Sequence, residues 1–516
     1  MTAAGSRPSA DAAEPMLLVG ARLAGEQGLF DLHLDGGVVA MIAPSGTAAA
    51  PSVVRRVELD GRWVLPGLHD RHVHFSQWAM ASRRLDLAGA ASAADAAALV
   101  AASVAAGATE VIGFGYRDSL WPEPASRAVL DAVSGAVPVV LVSADLHACW
   151  LNSAALRRHG VEQATDASGV LREDDCFRLV REIDDVADDV LDDWVAEAAA
   201  RAAARGVVGI TDYEMRWNRD DWARRAASGF NALRVSFGIY TQHLERAIAE
   251  GLHTGDEVPS TGGLVTVGGY KVITDGSLNT RTAWCFDPYP GLEGDDHPYG
   301  LATVPYDELL PLMIRAADAG ITPAVHAIGD QANARVLDAF EQLAARRQRG
   351  RAASVRGSIE HAQLLRRTDV ARFADLGIVA SVQPEHAMDD RDVAERYWAG
   401  RTDRAFMLAE LTAAGVELAL GSDAPVAPLD PWIAISAAVG RSRDGREPWH
   451  PEQAIEARAA VAASTGRRGI LPVVGGTADL AVVELDPLAT SAAALRTMPV
   501  AATLLAGRFT HSSSVG

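Results

Sequence analysis

Residues 64–74 have the sequence VLPGLHDRHVH, an apolar run that ends in two histidines, His72 and His74. An apolar run bounded by turn residues predicts a buried strand. Alternate residues of a strand point to the same face, so the two imidazoles should project together from its end. Paired imidazoles are common ligands of zinc and similar metals. One such pair can arise by chance among 14 histidines, so its meaning depends on the rest of the chain.

Seven further apolar runs follow, and most are separated by helical stretches rich in Ala, Arg and Glu. The runs cover residues 206–212, 233–240, 270–275, 321–328, 357–362, 378–383 and 417–423. The helical stretches include residues 307–319, 331–346, 404–414 and 431–439. Apolar strands joined by helices are typical of buried parallel sheets, and eight such units predict an α/β fold, a (β/α)8 TIM barrel, over residues 66–465. A doubly wound sheet would need a glycine-rich nucleotide loop after its first strand, and the sequence has none.

The two ends of the chain show a different pattern, with short β-type runs separated by turns. These runs cover residues 16–23, 30–34, 38–42, 53–59, 478–484 and 501–505. We expect residues 16–65 and 466–516 to pair into one small β-sandwich domain. Residues 1–15 predict a flexible tail. Residues 76–205 are not needed for the eight strand–helix units of the barrel. We expect them to form an inserted subdomain after the first barrel strand, where it would be a lid or a pocket wall.

Composition narrows the classes of function. The chain of 516 residues is 49% hydrophobic and 22% charged, as ordinary globular proteins are, and its net charge of -20 disfavours nucleic acids and anionic membranes as partners. The N-terminal residues do not resemble a signal peptide, and no apolar run is long enough to span a membrane. The three cysteines lack CxxC spacing, so we expect reduced thiols and a cytoplasmic location. The sequence leaves open whether the chain forms a homodimer.

Three polar residues at other predicted strand ends add to the histidine pair. His326 lies in AVHAIGD, His361 in IEHA and Asp423 in LGSDAP. Catalytic residues of TIM barrels lie at the C-terminal ends of the strands. A single histidine at such a position could be an ordinary core residue, but packing does not explain the whole set. The sequence therefore predicts a metal site at the mouth of the barrel.

Lys271, on the predicted strand 270–275, is the only lysine among 47 basic residues, and the other 46 are arginines. A lysine inside a buried strand is costly unless it is paired or chemically altered. Its neutral amine can react with carbon dioxide to form a carbamate, an anionic ligand with two oxygens that can bridge two cations. Arginine cannot do this because it stays protonated. We therefore expect Lys271 to belong to the metal site.

These residues, in this order, resemble the amidohydrolase superfamily of metal-dependent hydrolases, and the resemblance covers nearly the whole chain. The stretch KVITDGSLNTRTA, residues 271–283, is similar to the strand-four motif of the amidohydrolase-3 branch, which includes YtcJ-like proteins and N-substituted formamide deformylases. DLHACWLNS (145–153) and SVQPEH (381–386) also resemble motifs of that branch. Asn279 and Thr280 depart from the Gly-Ser pair expected there, which concerns the pocket more than the metals.

The resemblance implies a divalent metal cofactor, with zinc as the default, as one or two ions. His72 and His74 would bind the more buried metal together with Asp423. His326 and His361 would bind the second metal, and a carboxylated Lys271 would bridge the two ions in a binuclear centre. The implied activity is that of an amidohydrolase acting on carbon–nitrogen bonds other than peptide bonds. Metal-activated hydroxide would attack a small-molecule amide, with Asp423 as general base and acid.

Candidate residues on the substrate side carry less specific patterns. His386 could donate a hydrogen bond to the developing oxyanion, and Arg281 could also reach the reacting atoms. Substrate-binding candidates are two polar residues of the insertion and three tryptophans that could line an apolar pocket: His147, Asn152, Trp78, Trp150 and Trp284. Each has a structural alternative, such as a helix N-cap, a buried hydrogen bond, a surface charge or ordinary packing.

Two other functions remain open at this stage. A deaminase, or a cyclic-ureide or lactam hydrolase, could use the same fold; deaminases of this type usually carry an acid in an HxxxE-like motif, and here Asp330 follows His326 by four. A non-catalytic homologue is the third alternative, although it would have no need of Asp423. The sequence does not distinguish an N-acyl or N-formyl amine from an N-acyl amino acid or a carbamate as substrate.

Overall fold

The computed structural model describes residues 14–47, 54–348, 357–466, 469–513 and 515, so the predicted tail, residues 1–15, lies almost wholly outside the described residues. The strands are β1 (Met16–Leu23), β2 (Phe30–Asp35), β3 (Val38–Pro44), β4 (Arg55–Glu58), β5 (Trp63–Pro66), β6 (Leu68–Val73), β7 (Leu85–Asp86), β8 (Val111–Tyr116), β9 (Val139–Ser143), β10 (Ala148–Leu151), β11 (Val170–Arg172), β12 (Val207–Asp212), β13 (Arg234–Tyr240), β14 (Val265–Ile273), β15 (Pro323–Ala327), β16 (Ser358–His361), β17 (Val379–Val382), β18 (Leu418–Leu420), β19 (Leu480–Val483), β20 (Val500–Leu505) and β21 (Arg508–Ser512). The α-helices are α1 (Phe75–Ala81), α2 (Ala93–Ala105), α3 (Arg127–Ser134), α4 (Ser153–His159), α5 (Asp174–Ile183), α6 (Asp188–Ala203), α7 (Asn218–Ala227), α8 (Thr241–Ala249), α9 (Tyr306–Asp318), α10 (Asp330–Gln348), α11 (Arg367–Leu376), α12 (Pro384–Asp389), α13 (Arg391–Tyr397), α14 (Leu408–Ala413), α15 (Pro431–Gly440), α16 (Ala457–Ala463) and α17 (Ala492–Arg496).

Eight parallel strands form a barrel in the order β18-β17-β16-β15-β14-β13-β12-β6. Seven of the eight apolar runs contain one of these strands, and the run 270–275 overlaps the last four residues of β14, which confirms the predicted TIM barrel. The first run, residues 64–74, holds two strands, because Gly67 separates β5 of the terminal sheet from β6 of the barrel. A Cβ atom on Gly67 would lie 2.3 Å from Cγ1 of Val208, so glycine allows β6 to begin close against β12.

The barrel closes between its first and last strands, at a seam that contains the predicted metal ligands. The backbone N–H of Asp423 donates to the carbonyl of His72 at 2.7 Å, and that of His74 donates to the carbonyl of Ala424 at 2.8 Å. Gly421 follows β18 and lies against β6, since a Cβ atom there would lie 2.6 Å from the His72 nitrogen. Barrel closure therefore brings the His72–His74 pair beside Asp423.

Helices surround the barrel and share its core. Helix α6 has a face of small and aliphatic side chains, including Leu191 and Val195, that is buried in the same apolar cluster as Phe237 of β13 and Trp222 of α7. The inserted segment is consequently shorter than predicted, because α1 and α6, which pack on each other, belong to the outer layer of the barrel. Among the described residues, no helix is both long and apolar enough to cross a membrane.

Both ends of the chain form a separate sheet domain. Its strands follow the order β21-β20-β19-β5-β1-β2-β3, and β4 pairs with β1. C-terminal strand β19 runs antiparallel to β5, which leads directly into β6 of the barrel. The domain has its own apolar core, with Leu18, Leu32, Val64 and Leu480 among its buried residues.

The inserted subdomain is built on a five-stranded sheet in the order β11-β10-β9-β8-β7. Alternate residues of β9 face opposite sides of this sheet. Val139 and Leu141 pack against α2 and α3, whereas Val140 and Val142 pack against α4 and α5. The three cysteines of the chain are free and buried. Helix α5 and the turn before β10 form part of the cavity described below.

Candidate metal centre

The first group of metal-ligating side chains joins the two sides of the barrel seam. Nε2 of His72 and Nε2 of His74 each lie 3.4 Å from Oδ1 of Asp423. The ligand atoms of the three residues lie within 4.8 Å of one another, close enough to hold a metal ion. This is the trio that the sequence predicts for the more buried metal.

A second group shares the same carboxylate. Nδ1 of His361 lies 4.0 Å and Nε2 of His386 lies 3.9 Å from Oδ2 of Asp423. The sequence predicts His326 as the partner of His361, and the structure places the rings of these two residues 4.4 Å apart. Nε2 of His326, however, lies 3.3 Å from Oδ1 of Asp275. In this arrangement His386, rather than His326, shares the second group with His361 and Asp423.

Lys271 lies between these groups, inside the barrel. Its side chain is 1% exposed, and its Nζ is 3.5 Å from Nε2 of His72 and 4.7 Å from the centre of the Tyr213 ring. Burial lowers the pKa of Lys271 to about 8, which increases the fraction of neutral amine at physiological pH. The neutral amine is the form that reacts with carbon dioxide, so the environment suits the predicted carbamate.

Free ring nitrogens show that the site suits a cation. Nδ1 of His361 and Nε2 of His386 are buried and make no hydrogen bond to any residue that the structure describes. Buried polar atoms normally have partners, and both atoms face the carboxylate of Asp423. Burial also holds the pKa of His361 well below its usual value, so its neutral ring has a lone pair to offer a metal. The donor set of imidazoles and a carboxylate matches the preferences of zinc.

Glu360 orients the first of these imidazoles. Its Oε2 lies 2.7 Å from Nδ1 of His72, and its Oε1 accepts a hydrogen bond from Tyr213 at 3.3 Å. Burial alone would raise the pKa of Glu360, but the hydrogen bond with His72 lowers it to about 2. The ionised carboxylate can only accept, so Nδ1 of His72 carries the proton and Nε2 presents its lone pair to the metal site.

We expect Glu360→Gln to weaken metal affinity about 10–100-fold, because it removes the charge that orients His72. Competition with a fluorescent zinc chelator measures the affinity directly. Asp212→Asn is the matched control: Asp212 is also a buried carboxylate at the mouth of the barrel, but it bonds to Phe75, Trp222 and Asn218 and to no histidine. Equal affinities in wild type and Glu360→Gln would show that Glu360 does not tune the site.

Two of the proposed ligands have a strained backbone. His361 and Asp423 have φ values of 74° and 59°, in the left-handed region that residues with a Cβ rarely adopt. Asp70 supports the Asp423 loop by accepting hydrogen bonds from the backbone N–H groups of His72 at 3.1 Å and Ser422 at 3.0 Å. Strain of this kind persists where the surrounding structure imposes it, and it is frequent at functional sites.

A cavity of about 910 Å³ opens above the ligands. The barrel contributes its floor, and the inserted subdomain contributes a wall that includes Leu146, His147, Phe177 and Val180. Side chains of the insertion therefore line one side of the cavity. The cavity is large enough for a drug-sized molecule.

The structure brings only some of the predicted substrate-side residues to this cavity. His147 and His386 line it, whereas five others do not: Asn152, Trp150, Trp78, Trp284 and Arg281. Asn152 is the N-cap of α4, and its amide also bonds to Ser134 and to the backbone of β9.

The predicted aromatic residues likewise have structural positions. Trp150 is fully buried in the core of the insertion, 6.0 Å from the Trp121 ring centre. Trp78 lies under the guanidinium of Arg201, and Trp284 packs against the barrel core. The guanidinium of Arg281 lies over the ring of Tyr397, 5.4 Å from its centre. Ordinary packing or capping accounts for each of these residues.

Several residues of the site escape the sequence analysis. Glu360 is visible next to His361, but nothing in the sequence indicates that it reaches His72. Glu214, a buried carboxylate beside the cavity that bonds to Gln77, follows the second barrel strand. A third carboxylate, Glu173, belongs to the insertion and is considered below. The sequence could have indicated Glu214 and Glu360 only through their positions at the ends of predicted strands.

Comparison with known proteins assigns this architecture to a family. The family model described as "Amidohydrolase family" matches residues 55–511. The chain is 30% identical over 441 residues to Protein LONG AFTER FAR-RED 3 of Arabidopsis thaliana, covering 79% of this chain and 74% of that one. It is 26% identical over 506 residues to the putative amidohydrolase YtcJ of Bacillus subtilis, covering 89% and 90%. A shorter match, 31% over 213 residues, relates 39% of the chain to 38% of the N-substituted formamide deformylase of Arthrobacter pascens.

Solved structures share the fold. An uncharacterised metal-dependent hydrolase from Pyrococcus horikoshii superimposes with a TM-score of 0.75 at 23% sequence identity, covering 93% of this chain and 99% of the other. The match extends over the barrel, the insertion and the terminal sheet domain together. These findings confirm the resemblance that the motifs of the sequence carry.

Proposed function

Because the chain belongs to the amidohydrolase family, we propose that it is a metal-dependent hydrolase that cleaves an amide-type carbon–nitrogen bond of a small molecule. The substrate class is an N-acyl or N-formyl amine, with N-acyl amino acids and carbamates as related candidates. The observation that carries the proposal is the set of buried, unpartnered imidazole nitrogens around Asp423 at the floor of an open cavity.

The donor set supports one or two divalent ions, zinc by default, in a binuclear arrangement. His72, His74 and Asp423 would hold one ion, and His361 with His326 or His386 would hold the other. Lys271, converted to its carbamate, would supply the shared anionic oxygens. The lowered pKa of its amine and its position 3.5 Å from His72 favour this role.

A divalent metal bound here supplies an acidified water and polarises the scissile carbonyl. Asp423 is the proton carrier: burial raises its pKa, but the neighbouring His72 and His74 hold that pKa well below the usual range. The ionised carboxylate takes a proton from the attacking water and returns it to the departing nitrogen. Where His326 is the partner of His361 on the second ion, His386 is the proposed donor to the oxyanion. The Gln363 amide donates to its Nδ1 at 3.3 Å, which leaves the ring proton on Nε2.

The structure weakens the deaminase alternative. Asp330, the acid four residues after His326, accepts hydrogen bonds from Phe286 and Arg404 and does not line the cavity. It therefore has no access to a substrate in this arrangement. Release of ammonia from an aminated heterocycle would nevertheless identify a deaminase directly.

We expect purified protein to contain about one to two equivalents of divalent metal and to release amine from at least one member of a panel of N-formyl, N-acetyl and longer N-acyl amines with added zinc. Removing the metal with a chelator should abolish amine release, and zinc should restore it. The same panel incubated with the Asp423→Asn variant controls for background hydrolysis. Protein without metal that binds none on addition would refute the proposal, as would ammonia as the sole product.

A further inference from the structure

A histidine and a glutamate face each other in the cavity wall that the insertion provides. Nδ1 of His147, just before β10, lies 2.8 Å from Oε2 of Glu173, just before α5. His147 lines the cavity, and its ring packs edge-on against Phe177, with the ring centres 5.3 Å apart. The proposed reaction at the metal ligands makes no use of this pair.

Glu173 is held unusually firmly for a residue in a short connection. Its φ of 47° places a non-glycine residue in the left-handed region. Its N–H donates to the His147 carbonyl at 3.0 Å, and its Oε1 accepts a hydrogen bond from the Thr282 hydroxyl at 3.0 Å. Thr282 lies in the loop after β14, the strand that carries Lys271. The carboxylate therefore joins His147 of the insertion to the barrel, at a point of backbone strain.

The hydrogen bond with Glu173 leaves the other ring nitrogen of His147 available for a ligand. Nδ1 of His147 donates to Glu173, and Nε2 makes no hydrogen bond to any residue within the described ranges. The charged groups that act on this ring are Glu173, Asp145 and Asp423. Burial alone would lower the pKa of His147, but Glu173 raises it to about 9. Both ring nitrogens are therefore protonated at neutral pH, and Nε2 is a cationic donor.

We propose that Glu173 is a positioning residue that holds His147 as a hydrogen-bond donor to an oxygen of the substrate other than the scissile carbonyl. The inference rests on the proposed function and narrows it. Substrates would carry a carbonyl or carboxylate oxygen on the part of the molecule that lies toward the insertion. His147 would touch this oxygen, whereas Glu173 would act only through His147.

The chain provides a matched control. His159 and Glu182 form a second pair in the same subdomain, with Nδ1 and Oε1 also 2.8 Å apart, but away from the cavity, where the His159 ring is buried and the Glu182 carboxylate is exposed. Glu173→Gln and Glu182→Gln thus remove the same charge from the same kind of contact, one inside the cavity and one outside. A purely structural contribution of such pairs should affect both variants in the same way.

The first measurement is the pKa of His147, from the ring ¹³C signals of histidine-labelled protein, assigned with His147→Gln. We expect Glu173→Gln to lower this pKa by about one unit or more and Glu182→Gln to leave it unchanged. An unchanged His147 pKa in Glu173→Gln would overturn the proposal. This measurement needs no substrate, so its result is independent of the proposed function.

The second measurement compares N-acetylglycinamide, N-acetylglycine and N-acetyl-n-butylamine, of which the last lacks the additional oxygen. For Glu173→Gln we expect KM to rise about tenfold or more for substrates with that oxygen, with a smaller change in kcat and no effect on the butylamine. The ratio between the first two compounds separates a carbonyl from a carboxylate acceptor. Equal changes for all three would overturn the proposal.

Failure of the proposed function is distinguishable from failure of this inference. If none of the three amides is hydrolysed, the proposed function fails for this class of substrate. The role of Glu173 and His147 is then tested by binding of N-acetylglycinamide to the protein. A saturable shift of the His147 signal on addition of N-acetylglycinamide, reduced in Glu173→Gln, would support it. Absence of any shift at saturating amide would overturn it.

Discussion

The Asp423→Asn variant is expected to lose about 10²–10⁴-fold in kcat while it still binds metal. Among the residues that the structure describes, Asp423 is the one carboxylate that both groups of imidazoles share, since His72 and His74 face its Oδ1 and His361 faces its Oδ2. Asparagine preserves the shape and one oxygen but has no basic site for a proton. The expected result is therefore a protein that keeps its metal and does not turn over.

Two measurements on the same preparation check this result: metal content by elemental analysis and amine release at saturating substrate. Asp212→Asn serves as the control, because it changes another buried carboxylate of the barrel mouth that does not line the cavity. We expect that variant to lose thermal stability but to keep most of its kcat. Turnover of Asp423→Asn within a few-fold of wild type would exclude Asp423 as the proton carrier.

The second large effect concerns Lys271. We expect Lys271→Met and Lys271→Arg to lose metal, and with it at least about 100-fold in activity, because neither side chain can form a carbamate. Metal-free Lys271→Met should nevertheless be no less stable to heat than metal-free wild type at pH 7. Burial lowers the pKa of Lys271 to about 8, so below that pH the folded protein bears the cost of a buried ammonium, and this cost disappears as the pH rises.

Because the chain has one lysine, the modification can be observed without ambiguity of site. Native mass spectrometry should show one added carbon dioxide in wild type and none in Lys271→Met. Protein equilibrated with ¹³C-bicarbonate should give one carbamate signal that the substitution removes. A short carboxylic acid such as formate should partly restore metal and activity to Lys271→Ala. Full activity of Lys271→Arg would remove the bridging role.

The barrel could be predicted because its strands are buried on both faces. Such strands are continuous apolar runs, and each of the eight runs contains or overlaps a barrel strand. The positions of His72, His74, His361 and Asp423 followed from the same argument, since residues at the C-terminal strand ends of a barrel meet at one mouth. The apolar runs therefore predict the barrel, and the polar residues at their ends predict most of the metal site.

The remaining residues depend on tertiary contacts that no local pattern encodes. Asn152 is equally suited to bind a substrate or to cap a helix, and only the folded insertion shows that α4 uses it as a cap. Glu173 meets His147 because α5 packs beside β10, and Glu360 meets His72 across the barrel. Whether His326 or His386 accompanies His361 depends on distances between strands that the sequence leaves undetermined.

The seam between β6 and β18 has a consequence for biosynthesis. His72 and Asp423, whose backbones bond across it, are about 350 residues apart in the chain. A nascent chain that has not yet delivered Asp423 from the ribosome has its histidine pair but neither a closed barrel nor the shared carboxylate. Since a metal site rarely exists before the fold that builds it, the ion would be captured after translation. Bound metal would then distinguish finished molecules from truncated ones.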